Sequence, residues 1–167
     1  MLKLHKPHVV IGLDPGLSAT GYGIVREDRC VDYGIIKSDI TKPLAERINQ
    51  ILRLLQKKIN QYSPTICAIE TLFFKKESAR SVIYSAHLRG ALFFLLSKKK
   101  IPIVEITPAR VKKALTGNGR ASKQQIKFMV KNIFRISNEL NEHASDALAV
   151  AYTFSLLDTE IKLRSKS

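Results

Sequence analysis

Tryptophan is absent from this 167-residue chain, and only two cysteines and two methionines occur. Cys30 and Cys67 stand in apolar surroundings with no second Cys and no His at metal-ligand spacing. That excludes a disulfide framework and a thiolate metal site, and the two read as small buried hydrophobes of a reducing compartment. Long apolar runs are missing too: nothing approaches the roughly 18 residues of a membrane helix, and the apolar stretch in MLKLHKPHVV is too short for a secretion signal. A cytoplasmic protein with no membrane partner is therefore expected. Acid is the remaining shortage. Only 14 Asp plus Glu face 28 Lys plus Arg, a net charge of +14, and the pI near 10 makes a polyanion the expected partner.

What is present has the make-up of a globular domain. At 45% hydrophobic and 25% charged, the chain is long enough to bury a core. No repeat or low-complexity linker divides residues 1–167, so a single domain is expected, patterned over about 9–156, with a polar tail, LRSKS, that frays. The basic excess is concentrated. Residues 98–135 hold eleven Lys or Arg against Glu105 alone, a net +10 of the +14, which favours phosphate contact over a merely solvated face.

Val9–Leu13 is an apolar run closed by Asp-Pro-Gly, and Gly21–Arg26 and Val31–Ser38 follow after turn-rich breaks, which predicts an antiparallel meander. Pro43–Tyr62 carries Leu44, Ile48, Ile51, Leu52, Leu55 and Ile59 at helical spacing and stops at Ser63-Pro64. Thr65–Glu70, Ser78–Ser97 and Ile101–Ile106 then alternate strand, apolar helix and strand, as parallel units do. Thr107-Pro108 reads as an N-cap followed by Pro at the first helical position. Ser122 with Gln125 forms a capping box for a helix to about Phe134, and a GNGR loop lies between the two. The last helix starts near Asn141 and sets His143 and Asp146 on one face. The predicted class is α/β: a mixed five-stranded sheet, antiparallel in strands 1–3, parallel in strands 1, 4 and 5, flanked by helices. Ile83, Leu88, Leu92, Phe93 and Leu96 fit either core burial or a contact between copies.

Asp14 ends the first strand and Glu70 the fourth, and a switch from meander to parallel unit can set these strands side by side. With Asp146 and His143 across the same sheet edge, three carboxylates and an imidazole would meet in an otherwise basic protein. Such a cluster repels itself unless divalent cations bind it. Paired Mg²⁺ or Mn²⁺ ions suit carboxylate-rich sites and serve phosphodiester hydrolysis. Singly, each residue has another use: Asp14 as a turn former, Glu70 as a solvated strand end, Asp146 as a complement to the helix dipole, His143 as a structural histidine.

The strings IGLDPGLSATGYGIV, AIETLFF with its following basic residues, HLRGAL, TPARVKKALTGNGRASKQQI through FMV, and HASDALAVAY occur in one order over most of the chain. Together they resemble the RuvC family of Holliday junction resolvases, the crossover junction endodeoxyribonucleases of the ribonuclease H and retroviral integrase superfamily. The resemblance implies a ribonuclease H-like fold and paired symmetric nicks in four-way junction DNA during recombination and repair. It makes Asp14, Glu70, His143 and Asp146 the catalytic and metal-binding set for two Mg²⁺ ions, with Mn²⁺ able to substitute. His143 stands where many members carry Asp, which bears on metal preference. Phe73 falls where the family inserts an aromatic ring into the junction, beside Phe74, Lys75, Lys76 and Arg80, and Lys112 and Lys123 match lysines that contact the scissile strand. A homodimer and the branch-migration proteins RuvA and RuvB are the implied partners. Three rivals stand beside this reading: an actin-like ATPase or sugar kinase, for which the chain is short; a ribonuclease H-like RNA nuclease; and a junction-binding protein that does not cut.

Overall fold

The computed structural model describes residues 8–72 and 79–164. In chain order the elements are β1 (Val9–Asp14), β2 (Ala19–Arg26), β3 (Arg29–Lys37), α1 (Leu44–Tyr62), β4 (Ile66–Glu70), α2 (Ala79–Lys98), β5 (Ile103–Ile106), α3 (Pro108–Thr116), α4 (Lys123–Phe134) and α5 (Glu142–Arg164). The sheet order is β3-β2-β1-β4-β5. β1 pairs antiparallel with β2, and β2 with β3, whereas β4 runs parallel to both β1 and β5. The predicted mixed sheet is the observed one.

Element ends differ from expectation for local reasons. β2 and β3 close on each other two residues earlier than predicted, because Glu27 and Asp28 both adopt positive φ (48° and 60°). That geometry is a two-residue hairpin turn whose twist suits the flanking strands. β5 starts at Ile103 rather than Ile101: Lys100 is left-handed (φ 55°), and Pro102 has no N–H for the ladder, although its carbonyl accepts from Cys67 N–H at 2.8 Å. Helix α5 continues through Leu163 and Arg164, so the expected fraying tail is helical for its first two residues; 165–167 lie outside the described residues. Ser78, the predicted first residue of the second long helix, is also outside them.

Alternation along the strands sorts the core into two layers. Val9, Ile11 and Leu13 of β1 and Cys67 and Ile69 of β4 pack with Ile51 and Leu55 of α1 and with Leu88, Leu92 and Leu96 of α2. Val10, Ala68 and Ile106 face the other way, onto Val111, Leu115, Ile126, Val130, Ala144 and Leu148 of α3, α4 and α5. Of the α2 apolar set, Leu88, Leu92 and Leu96 are fully buried and Phe93 packs against them, while Ile83 is 53% exposed. Cys67 is buried and Cys30 half-buried. Burial pushes their thiols up to about 12 and about 11, so both stay protonated and unreactive at neutral pH.

Helix α5 lies closer to the sheet than ordinary side chains permit. A Cβ on Gly12 would stand 2.0 Å from the Ala147 carbonyl oxygen, and one on Gly21 would stand 2.0 Å from that of His143. Both obstacles are backbone, so no rotamer change relieves them. Gly12→Ala is therefore expected to lose about 3 kcal/mol or more of stability, at or beyond the upper end of ordinary overpacking. Gly90 in α2 has nothing within 4 Å of a built Cβ, and Gly90→Ala should gain about 0.5–1 kcal/mol. Urea midpoints of the two variants check the contrast, and a Gly12→Ala protein as stable as wild type would refute the close seating of α5.

Candidate active site

The parallel ladder between β1 and β4 ends on Leu13↔Ile69, so the next residues, Asp14 and Glu70, leave neighbouring strand ends on one side of the sheet. Alternation puts them with Val10, Gly12 and Ala68, on the face that α3, α4 and α5 cover. Helix α5 starts over this edge because Asn141 caps it: His143 N–H donates to Asn141 Oδ1 at 2.9 Å. The cap fixes His143 in the first turn and Asp146 one turn further in. Helix α4 is set with similar care. Ser122 Oγ accepts from Gln125 N–H at 3.2 Å, and Gln125 Oε1 accepts from Ser122 N–H at 2.8 Å, which makes Lys123 its first residue. Thr107 accepts from Arg110 N–H and starts α3, which carries Lys112.

Asp14, Glu70, Lys112, Lys123, His143 and Asp146 line one cavity of about 320 Å³. His143 Nδ1 lies 2.7 Å from Asp14 Oδ2, a contact in which the carboxylate accepts and Nδ1–H donates. This leaves Nε2 as the nitrogen free to accept or ligate when the ring is neutral. Lys123 Nζ lies 3.6 Å from Asp146 Oδ2. The acids are thus partly paired within the protein, and among the described residues no three His, Cys, Asp or Glu side chains draw together into a metal-holding group. The donor set nevertheless suits hard or borderline cations, being the carboxylates of Asp14, Glu70 and Asp146 and the imidazole of His143, with Glu142 on the same wall. Asp146 records the strain of that arrangement: burial, and then the charge of Asp14, push its carboxyl up from the ordinary value, against the pull of Lys123 and His143.

The predicted residues divide into three groups. Asp14, Glu70, His143, Asp146, Lys112 and Lys123 share the cavity. Arg80 is in the first turn of α2, and Phe73, Phe74, Lys75 and Lys76 lie outside the described residues. The triplet Lys98, Lys99 and Lys100 is exposed, and Lys99 donates to Asn60 of α1 at 3.1 Å, which ties it to the opposite layer. Sequence reasoning missed Glu142, a further carboxylate on the cavity wall. Its signal was its position four residues before Asp146, one turn away on the same helix face.

The family model described as "Crossover junction endodeoxyribonuclease RuvC" matches residues 10–154. A protein of that name from Treponema pallidum (strain Nichols) is 37% identical over 150 residues, covering 87% of this chain and 76% of the relative. The structure of Thermus thermophilus RuvC in complex with Holliday junction substrate aligns with a TM-score of 0.80 at 28% identity, covering 90% of this chain and 94% of that one. The yeast mitochondrial Holliday junction resolvase Ydc2 aligns with a TM-score of 0.67 at 13% identity, over 92% of this chain and 80% of that one, a likeness of fold alone.

The Asp146 environment sets a sign for stability. Its raised folded-state value means that the native protein binds more protons than the unfolded chain in the window just above the ordinary Asp value of 3.8. Stability therefore falls as pH rises through that window, and the cost persists at neutral pH. Asp146→Asn should raise Tm in EDTA at pH 7, because the amide has no charge to desolvate beside Asp14. Added Mn²⁺ or Mg²⁺ should raise the wild-type Tm and have much less effect on the variant. Calorimetry with and without cation checks both, and a wild-type Tm indifferent to either ion would count against cation binding in the cavity.

Proposed function

The chain belongs to the RuvC family of crossover junction endodeoxyribonucleases, and from that membership we infer that it resolves four-way (Holliday) DNA junctions by hydrolysing phosphodiesters. The observation that carries the reading is the acidic and imidazole cluster of Asp14, Glu70, His143 and Asp146, flanked by Lys112 and Lys123, in one cavity of a strongly basic protein. A polyanionic substrate explains the basic surface. Three carboxylates at its centre make sense only where they hold cations against that substrate.

In this reading the four residues would hold divalent cations, two Mg²⁺ per site with Mn²⁺ able to substitute. When bound, these ions neutralise the phosphodiester and lower the pKa of water. Asp14 reaches His143 at 2.7 Å and acts electrostatically on Asp146, so it couples to both α5 members of the set that would hold the cations. His143 turns its Nε2 outward from the Asp14 contact, and an imidazole here removes one negative charge relative to Asp and softens the donor set. Lys112 and Lys123 hold the non-bridging phosphate oxygens and offset the charge that builds as a water oxygen bonds to phosphorus and one bridging P–O bond breaks. Lys123 is poised for this exchange, since its contact with Asp146 is long and its side chain is 69% exposed. Phe73, with Phe74, Lys75, Lys76 and Arg80 around it, is assigned the contact with unpaired bases at the crossover.

Two opposed strands must be nicked, and the described residues of one chain form one such acidic cavity. A symmetric homodimer would match its two sites to the pseudo-twofold of the junction. RuvA and RuvB are the proposed partners that deliver the junction.

A gel assay on a four-way junction, linear duplex and an RNA–DNA hybrid tests the reading. Paired symmetric nicks in the junction are expected with Mg²⁺ or Mn²⁺ and none with EDTA, while preferential cutting of the hybrid would overturn it. Asp14→Asn, Glu70→Gln and Asp146→Asn should each slow cutting by at least about a hundredfold with junction binding retained. His143→Asp should keep activity and shift it toward Mg²⁺ relative to Mn²⁺. Complete loss in that variant with both ions would instead assign the imidazole a proton-transfer or phosphate contact that a carboxylate cannot make.

A further inference from the structure

We propose that the lysine row Lys123, Lys127 and Lys131 of α4 is a phosphate-tracking surface that carries the DNA strand away from the cavity. This rests on the functional reading above and extends it along a helix to which that reading assigned only Lys123. Residues four apart on a helix lie one above another, and at 1.5 Å per residue the backbone positions of the row span about 12 Å. Each strand of a duplex presents one phosphate per about 3.4 Å of axis, so the row spans three or four successive phosphates.

Two structural facts anchor the row. Its first member reaches Asp146 Oδ2 at 3.6 Å, so the row begins at the acidic cluster. Its second member shares a smaller cavity of about 230 Å³ with Lys123 and Asp146, so the row continues directly from the first. Neither Lys127 nor Lys131 has an acidic partner among the described residues. Glu105, the sole acid of the basic segment 98–135, is paired with Arg89 of α2 at 3.0 Å, in the layer on the far side of the sheet. Glu142 also lines that smaller cavity but makes no ion pair with Lys127, so the positive charge of the α4 row is left for an external anion. Lys131 also lies in the last turn of α4 and complements its dipole, a role that leaves its ammonium available.

The test is junction affinity as a function of salt, measured by anisotropy in EDTA so that nothing is cut. Paired Lys127→Ala and Lys131→Ala substitutions should reduce the slope of log affinity against log salt by about 1.8, since each lost phosphate contact removes about 0.9. The corresponding double Arg variant should restore the slope, and Lys57→Ala on α1 should leave it unchanged. An unaltered slope in the double Ala variant, in a wild-type protein that does cut junctions, overturns the row and leaves it to an acidic protein or to solubility alone. Wild-type protein that leaves junctions intact overturns the functional reading and this inference with it.

Discussion

The seating of α5 on a floor of glycine and alanine is the constraint from which the site follows. Gly12 faces Gly23 across the β1/β2 ladder and Ala68 across the β1/β4 ladder, and Asp14 faces Gly21. Over this floor run Ala144, Ala147 and Ala151, all buried. Small residues on both surfaces bring helix backbone within reach of strand backbone, and that distance decides whether a short side chain on the helix can meet one on the strand. His143 meets Asp14 at 2.7 Å because the residue opposite Asp14 has no side chain to hold the helix away. A larger residue at Gly21 would displace the site through packing, by pushing on the His143 backbone rather than on its imidazole.

Electrostatic tension is the second organising feature. A protein of net charge +14 gathers carboxylates at one sheet edge, partly buries them, and balances them with Lys123 and His143. The balance is incomplete for Asp146, whose carboxyl is pushed up chiefly by burial and then by Asp14. A site tuned for maximum stability would separate those charges or replace one of them with an amide. Keeping them together is the familiar pattern of a functional cluster, in which local destabilisation is tolerated because a ligand removes it. The pairing within the protein is of the replaceable kind: an exposed lysine at 3.6 Å and an imidazole that retains a second nitrogen.

Much of this was legible in the sequence because strand ends and helix caps are local signals. Apolar runs closed by Asp14 and Glu70 marked two strand ends, and the change from short turns to helical crossovers allowed those strands to be neighbours, as they are. Thr107-Pro108 and Ser122 with Gln125 marked helix starts that the structure reproduces. What escaped was set by tertiary contact or unusual backbone. The Glu27-Asp28 turn carries no glycine or asparagine, so its positive φ values were unreadable from composition. Periodicity grouped Ile83 with Leu88 and Leu92, yet only the latter two are buried, since the apolar pattern of α2 does not by itself select the face that meets the sheet. Glu142 is a first-turn acid of α5, and only the seating of that helix over the cavity brings it to the wall. The aromatic and basic residues 73–76 rest on the resemblance alone.

The sheet also acts as a partition between two kinds of duty. Its α1 and α2 face is built from large aliphatic residues around Ile11, Leu13 and Ile69, all fully buried, and there the isolated charges are used internally: Arg89 holds Glu105 and Lys58 holds Asp32 at 2.8 Å. The other face is built from smaller residues, and its charges look outward. Helices α3 and α4 contribute Lys112 and Lys123 to the cavity, and Lys127 extends the same wall. Alternation along β1 and β4 allows this division, because one carboxylate per strand end is delivered to the working face while its neighbours in sequence, Leu13 and Ile69, fill the other. The strands that make the core rigid therefore aim the carboxylates, and the residue parity of two strand ends decides which face of the protein carries the acidic cavity.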